Sequence, residues 1–150
     1  MDYSITGLFE AFSEAPRPNF NEITTHAIDE CTECKELSRS FEEYSVVDVP
    51  DTLLEYHGND ITLFSSKAFR YYLPSFIKYA IEVPDSNAHE NILYNLSPDD
   101  PNSDFWSGRC DQFNSYEKEA LISYLKYRLS ICDVTEVNCI DSGIKYWNQK

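Results

Sequence analysis

Glycine is scarce in this chain, at four residues in 150, and there is a single methionine. Phosphate-cradling loops need closely spaced glycines, and none of the required spacings is present. HExxH and nucleophile-elbow patterns are absent too. No run of about 18 apolar residues occurs, which excludes a membrane-spanning helix. The opening Met1-Asp2-Tyr3 has neither a basic nor an apolar stretch, so no secretory signal is expected. The five cysteines are odd in number and irregular in spacing. A disulfide framework is therefore not expected, and a reducing cytoplasm is the expected location.

Positive charge is also in short supply. There are 12 basic residues against 26 acidic ones, a net charge of −14. A field of that sign repels DNA, RNA and anionic membranes, and it attracts basic proteins. The excess is uneven. Residues 1–60 hold fourteen acids and three bases, Arg17, Lys35 and Arg39, whereas residues 61–150 hold twelve acids and nine bases. Such asymmetry predicts a charged face rather than a uniform coat.

What is abundant is apolar and aromatic. Hydrophobic residues make up 42% of the chain and aromatics 15%, with eleven tyrosines. This composition predicts a globular fold, and the length predicts one acidic helical domain over residues 1–150.

Apolar spacing predicts a short helix over 3–15, from Ile5, Leu8, Phe9 and Phe12. A second is predicted over 24–44, with Ile28, Cys31, Cys34, Leu37 and Phe41 on one stripe and Asp29, Glu30, Glu33, Glu36, Glu42 and Glu43 on the other faces. Residues 46–49 and 61–64 read as short extended pieces, with a small helix between them that Pro50 opens. Ser65 or Ser66 caps a third major helix ending near Glu82, and Pro74 inside it should kink or divide it. Residues 83–90 read as loop, 91–96 as a short helix or turn, and 97–111 as a long acidic loop. Asn114 with Glu117 reads as a capping box opening a helix, and Asp133 with Glu136 repeats that signal before a last helix. The expected fold is mainly α, an irregular helical bundle with at most two or three short strands.

Three side-chain groups carry candidate chemistry. His26, Cys31 and Cys34 form an H-x4-C-x2-C pattern, and zinc takes thiolate and imidazole ligands. His57, His89 or Cys110 would complete a tetrahedral set. The competing reading makes Cys31 and Cys34 small core hydrophobes on the helix stripe. Cys110 beside Arg109 is a second candidate, as a nucleophile whose pKa the guanidinium lowers. The third is the acidic stretch with Asp99, Asp100 and Asp104, followed by Phe105 and Trp106. Aromatics in a polar loop are hard to explain by packing and suit an interface.

Residues 62–83 carry the pattern F-x-x-x-A-x-x-Y-Y-L-P, ending at Tyr71-Tyr72-Leu73-Pro74, followed by an apolar helix. This resembles the central motif of a family of small uncharacterised bacterial proteins. The region from Phe113 to Leu129 and the opening Asn21-Glu22-Ile23-Thr24 are similar to it as well. The resemblance implies membership but no catalytic residues.

The leading functional expectation is a protein-binding inhibitor, by analogy a cytoplasmic immunity protein that neutralises a basic toxin. Glu30, Glu33, Asp99, Asp100, Asp104, Phe105 and Trp106 would contact the partner. That reading needs no cofactor, no direct nucleic acid and no membrane. The alternatives are a small metal- or thiol-dependent enzyme using His26, Cys31, Cys34 or Cys110, and a nucleic-acid mimic.

Overall fold

A computed structural model describes residues 3–150. Among the described residues the chain is mainly α, with eight α-helices. They are α1 (Ile5–Ala11), α2 (Thr32–Phe41), α3 (Asp51–Tyr56), α4 (Ser66–Glu82), α5 (Asn87–Leu96), α6 (Asp104–Cys110), α7 (Ser115–Ile131) and α8 (Val137–Gln149). Three 3-10 turns, Phe20–Glu22, Ile28–Glu30 and Ile61–Leu63, join them. Among the described residues there is no strand, and the isolated antiparallel bridge Thr24–Phe64 stands in place of a sheet. The helices belong to two compact units. A central unit spans Glu14–Ile92, and a terminal unit runs to Ser13 and resumes at Leu93–Lys150.

The central unit is built on α4. Ser65 caps it by accepting from the Ala68 N–H at 3.1 Å, as its sequence suggests. The helix runs unbroken through the buried Pro74, so it is one helix rather than two. Its stripe closes over an aromatic cluster. The Phe41 ring sits 5.2 Å from Phe64, 5.0 Å from Tyr72 and 5.9 Å from Phe76. The Tyr72 hydroxyl donates to the carbonyls of Phe41 at 2.9 Å and Tyr44 at 3.1 Å. The Tyr71 hydroxyl accepts from the Val46 N–H at 3.2 Å. Both tyrosines of the Tyr-Tyr-Leu-Pro motif therefore tie down the chain leaving α2, a structural role.

The predicted helix over 24–44 breaks in two. Thr24 pairs with Phe64, the Ser65 N–H donates to the Ile23 carbonyl at 2.9 Å, and a 3-10 turn follows at Ile28–Glu30. Helix α2 starts only after Cys31, which is extended (φ −141, ψ 111). Neither predicted extended piece is a strand. Residues 46–48 form a turn, and Ile61–Leu63 is 3-10. The region 83–90 is shorter as a loop than expected, since α5 begins at Asn87.

In the terminal unit α7 packs on α8, and α1 packs on α7. The Asn114–Glu117 capping box forms as the sequence suggests, with both bonds at 2.9 Å. The Trp147 indole N–H donates to the Leu96 carbonyl at 2.9 Å, and its ring meets Phe113 edge-on at 5.3 Å. Gly143 allows the close approach of this segment. A Cβ there would lie 2.4 Å from the Ser97 hydroxyl and 3.1 Å from the Leu96 carbonyl. The supposed loop over 97–111 contains α6, capped by Ser103, whose hydroxyl accepts from the Trp106 N–H at 3.4 Å.

Burial of phenols sets an alkaline limit on stability. Burial, as the leading cause, raises the pKa of Tyr72 to about 12, and a hydrogen bond from Tyr79 to Glu55 raises Tyr79 to about 12. Burial pushes Tyr3, Tyr124 and Tyr146 upward as well. The fold holds these phenols neutral, whereas the unfolded chain ionises from about pH 10. Their stabilisation is complete below pH 10 and is lost as pH rises toward 12. Phenolate absorbance during an alkaline titration is expected to show a late fraction that appears together with loss of helical circular dichroism. Ionisation of every tyrosine near pH 10 with the helices intact would contradict this.

Candidate metal centre

The site grows from the break before α2. Because Cys31 is extended, it becomes the N-cap of the helix, and its Sγ accepts from the Cys34 N–H at 3.3 Å. That bond places Cys34 at the third helical position, turned into the core, where it is fully buried. His26 lies just after the Thr24–Phe64 bridge, and its Nδ1 sits 3.4 Å from the Cys34 Sγ. The ligand atoms of His26, Cys31 and Cys34 all lie within 4.8 Å of one another. Tetrahedral zinc with its usual bond lengths sets sulfur–nitrogen edges of about 3.6 Å and sulfur–sulfur edges of about 3.8 Å. The His26–Cys34 separation of 3.4 Å is close to such an edge, and closing the whole group from its 4.8 Å limit needs movements of about 1 Å.

The two thiols differ. Hydrogen bonds from Cys34, side chain then backbone, and then from His26 hold the half-buried Cys31 thiol below its ordinary value. Burial pushes Cys34 up, and the neighbouring Cys31 adds to that. All five cysteines are unbridged. The sequence expectation that the pair shares a helix stripe is corrected here. Cys34 takes the core position, but Cys31 caps the helix from outside it.

Among the described residues the group numbers three. His57 does not complete it, because both ring nitrogens are engaged. Nδ1 meets Asp60 at 2.8 Å and Nε2 meets the Ser40 hydroxyl at 3.2 Å. This Ser40–His57–Asp60 line has no sequence signature. With His57 2% exposed and packed edge-on against Phe41, it ties the last turn of α2 to the end of α3. Beside the group lies a pocket of about 530 Å³, lined by His26 together with Phe20, Asp29, Lys35 and Arg39. Lys35 and Arg39 were missed in the sequence, where their one signal is the scarcity of bases before residue 60.

The remaining candidates sit elsewhere. Cys110 ends α6 fully buried, and burial raises its pKa despite the neighbouring Arg109. A thiol held protonated is a poor nucleophile. Glu30 and Glu33 are exposed in the central unit, while Asp99, Asp100, Asp104 and Phe105 are exposed in the terminal unit. Asp99 and Asp100 accept from the backbone of Asp100 and Asn102. Phe105 is 41% exposed, but Trp106 is 4% exposed and packs against Tyr94 at 5.6 Å. Trp106 is thus a core residue of its unit, contrary to the expectation of an open aromatic pair. No helix is long and apolar enough to cross a membrane among the described residues.

No curated protein matches this chain, and no solved structure matches it. A family model does match, over residues 5–150, which includes the histidine, both cysteines and the Tyr-Tyr-Leu-Pro helix. The chain belongs to the family of unknown function DUF6714.

Proposed function

We propose that this chain is a metal-dependent protein in which zinc is held by His26, Cys31 and Cys34. The observation that carries the reading is the convergence of three ligand atoms, all within 4.8 Å of one another, with the His26–Cys34 pair at 3.4 Å near a tetrahedral edge. Three protein ligands leave the fourth position to water or substrate, the pattern of catalytic rather than structural zinc. Zinc held there would act as a Lewis acid, able to acidify a bound water or to polarise a substrate carbonyl. Protein purified without chelator should carry about one zinc per chain by elemental analysis, and the double variant Cys31→Ser/Cys34→Ser should carry none. Equal metal content in both, or none in either, would overturn the reading.

A second reading, a protein-binding inhibitor of a basic partner such as a cognate toxin, draws support from one feature. Asp99, Asp100 and Asp104 are exposed in the same unit as the half-exposed Phe105. Charge of this kind acts mainly on the association rate. The triple variant Asp99→Asn/Asp100→Asn/Asp104→Asn is expected to slow association with a basic partner several-fold at low salt. Stopped-flow rates that are the same for both proteins would remove this surface from the interface.

A further inference from the structure

We infer that the pocket beside the metal ligands receives the oxyanion of a small substrate, a carboxylate or a phosphoryl group, on Lys35 and Arg39. The inference deepens the metal reading and rests on it for the substrate's role, since His26 belongs to both the ligand group and the pocket wall.

Residues 35 and 39 stand one helical turn apart on α2, so their side chains project from one face. They are two of the three bases in the first 60 residues, a stretch with fourteen acids. In such surroundings a cation normally finds a carboxylate. Lys67, outside that stretch, does so with Glu22, and Lys78 with Glu82. Among the described residues the side chains of Lys35 and Arg39 make no hydrogen bond or ion pair, although the Lys35 N–H donates to the Cys31 carbonyl at 3.1 Å within the helix start. Both line the pocket, against one acid, Asp29. The balance of fixed charge on the wall is therefore positive in the most acidic part of the chain.

The pocket's size selects a small molecule rather than a protein loop. About 530 Å³ lies within the range of small-molecule sites. Phe20 and Ile28 supply apolar wall, and the Asn21 amide adds a polar group. A guanidinium grips carboxylate or phosphate with paired donors, while an ammonium acts as a point charge. An oxyanion seated on these two groups would present the rest of its molecule toward His26 and the metal.

The test uses the full chain, metal-free and zinc-loaded, with sulfate and acetate as probes. Sulfate stands for a tetrahedral phosphoryl group and acetate for a planar carboxylate. Nitrogen-15 shifts of the Arg39 side chain and of the amides over 26–39 are followed during each titration. The expected result is a saturable shift with at least one probe, weakened about tenfold or more in Lys35→Gln/Arg39→Gln. The tighter probe identifies the group. A shift that never saturates, or one equal in the variant, overturns the inference. Zinc content of the unsubstituted chain is read in parallel. Retained zinc without anion binding defeats the pocket alone, whereas anion binding in a chain that never takes zinc defeats the metal reading alone.

Discussion

Zinc added to the metal-free protein, at about a hundred times its dissociation constant, should stabilise the unit carrying the site by about 2.7 kcal/mol. For a chain of this size that raises the unfolding midpoint by roughly 5–11 °C. Cys31→Ser should abolish the response. This variant is the most informative one because of what Cys31 does locally. Its sulfur caps α2 by accepting from the Cys34 N–H. Serine is a strongly preferred cap, so the helix start survives the exchange. Its neutral hydroxyl is a poor zinc ligand, so the metal does not. The metal-free stability should be unchanged or slightly higher, and the zinc response lost. Cys34→Ser should also lose the response, but it places a hydroxyl in a fully buried position and so lowers the metal-free midpoint as well. Thermal unfolding of both variants, with and without zinc, separates the two effects. A Cys31→Ser protein that still gains stability from zinc would show that the thiol is not a ligand.

Trp147→Ala should cost about 3–5 kcal/mol, the range for removing a buried large aromatic. The side chain is 2% exposed and meets Phe113 and Tyr146 edge-on, each at 5.3 Å. Its indole N–H is bonded to the Leu96 carbonyl, so α8 also loses its tie to the end of α5. Since whole-protein stability is on the order of 5–15 kcal/mol, this is a large share. Trp147→Phe keeps a ring against Phe113 and gives up the N–H donor, so it should recover most of the loss, leaving about 1 kcal/mol. Urea unfolding followed by circular dichroism measures both. A loss under about 1 kcal/mol for the alanine variant would mean that Trp147 is not packed as described.

The helices with uninterrupted stripes were legible in the sequence. Phe69, Tyr72, Leu73, Phe76 and Ile77 announce α4, and the Ser65-Ser66 pair marks its start, with Ser65 the cap in the structure. Asn114 and Glu117 announce α7. The stripe through Ile28, Cys31 and Cys34 misled, because a tertiary event breaks it. Pairing of Thr24 with Phe64 holds the preceding chain out of the helix, and local periodicity carries no trace of that partner. Helix α6 was hidden for a different reason. Asp, Ser and Pro around it read as loop, though Ser103 is an ordinary cap for the Phe105-Trp106 turn.

The site was half legible. The types and spacing of His26, Cys31 and Cys34 made them candidate ligands beside a reading as core residues, but the expected cause of their convergence, a shared helix face, was wrong. They meet through a cap, a 3-10 turn and an isolated bridge. Lys35 and Arg39 carry no motif, and their approach to one pocket depends on the fold of residues 20–29 around them.

The metal reading stands or falls on whether His26, Cys31 and Cys34 coordinate one metal ion. Cobalt(II) substitution of the metal-free protein tests it most directly, because the electronic spectrum reports ligand type and geometry together. The expected result is one equivalent of cobalt with intense tetrahedral visible bands and sulfur-to-metal charge transfer, both lost in Cys31→Ser/Cys34→Ser. A weak octahedral spectrum, unchanged by the double substitution, would contradict it.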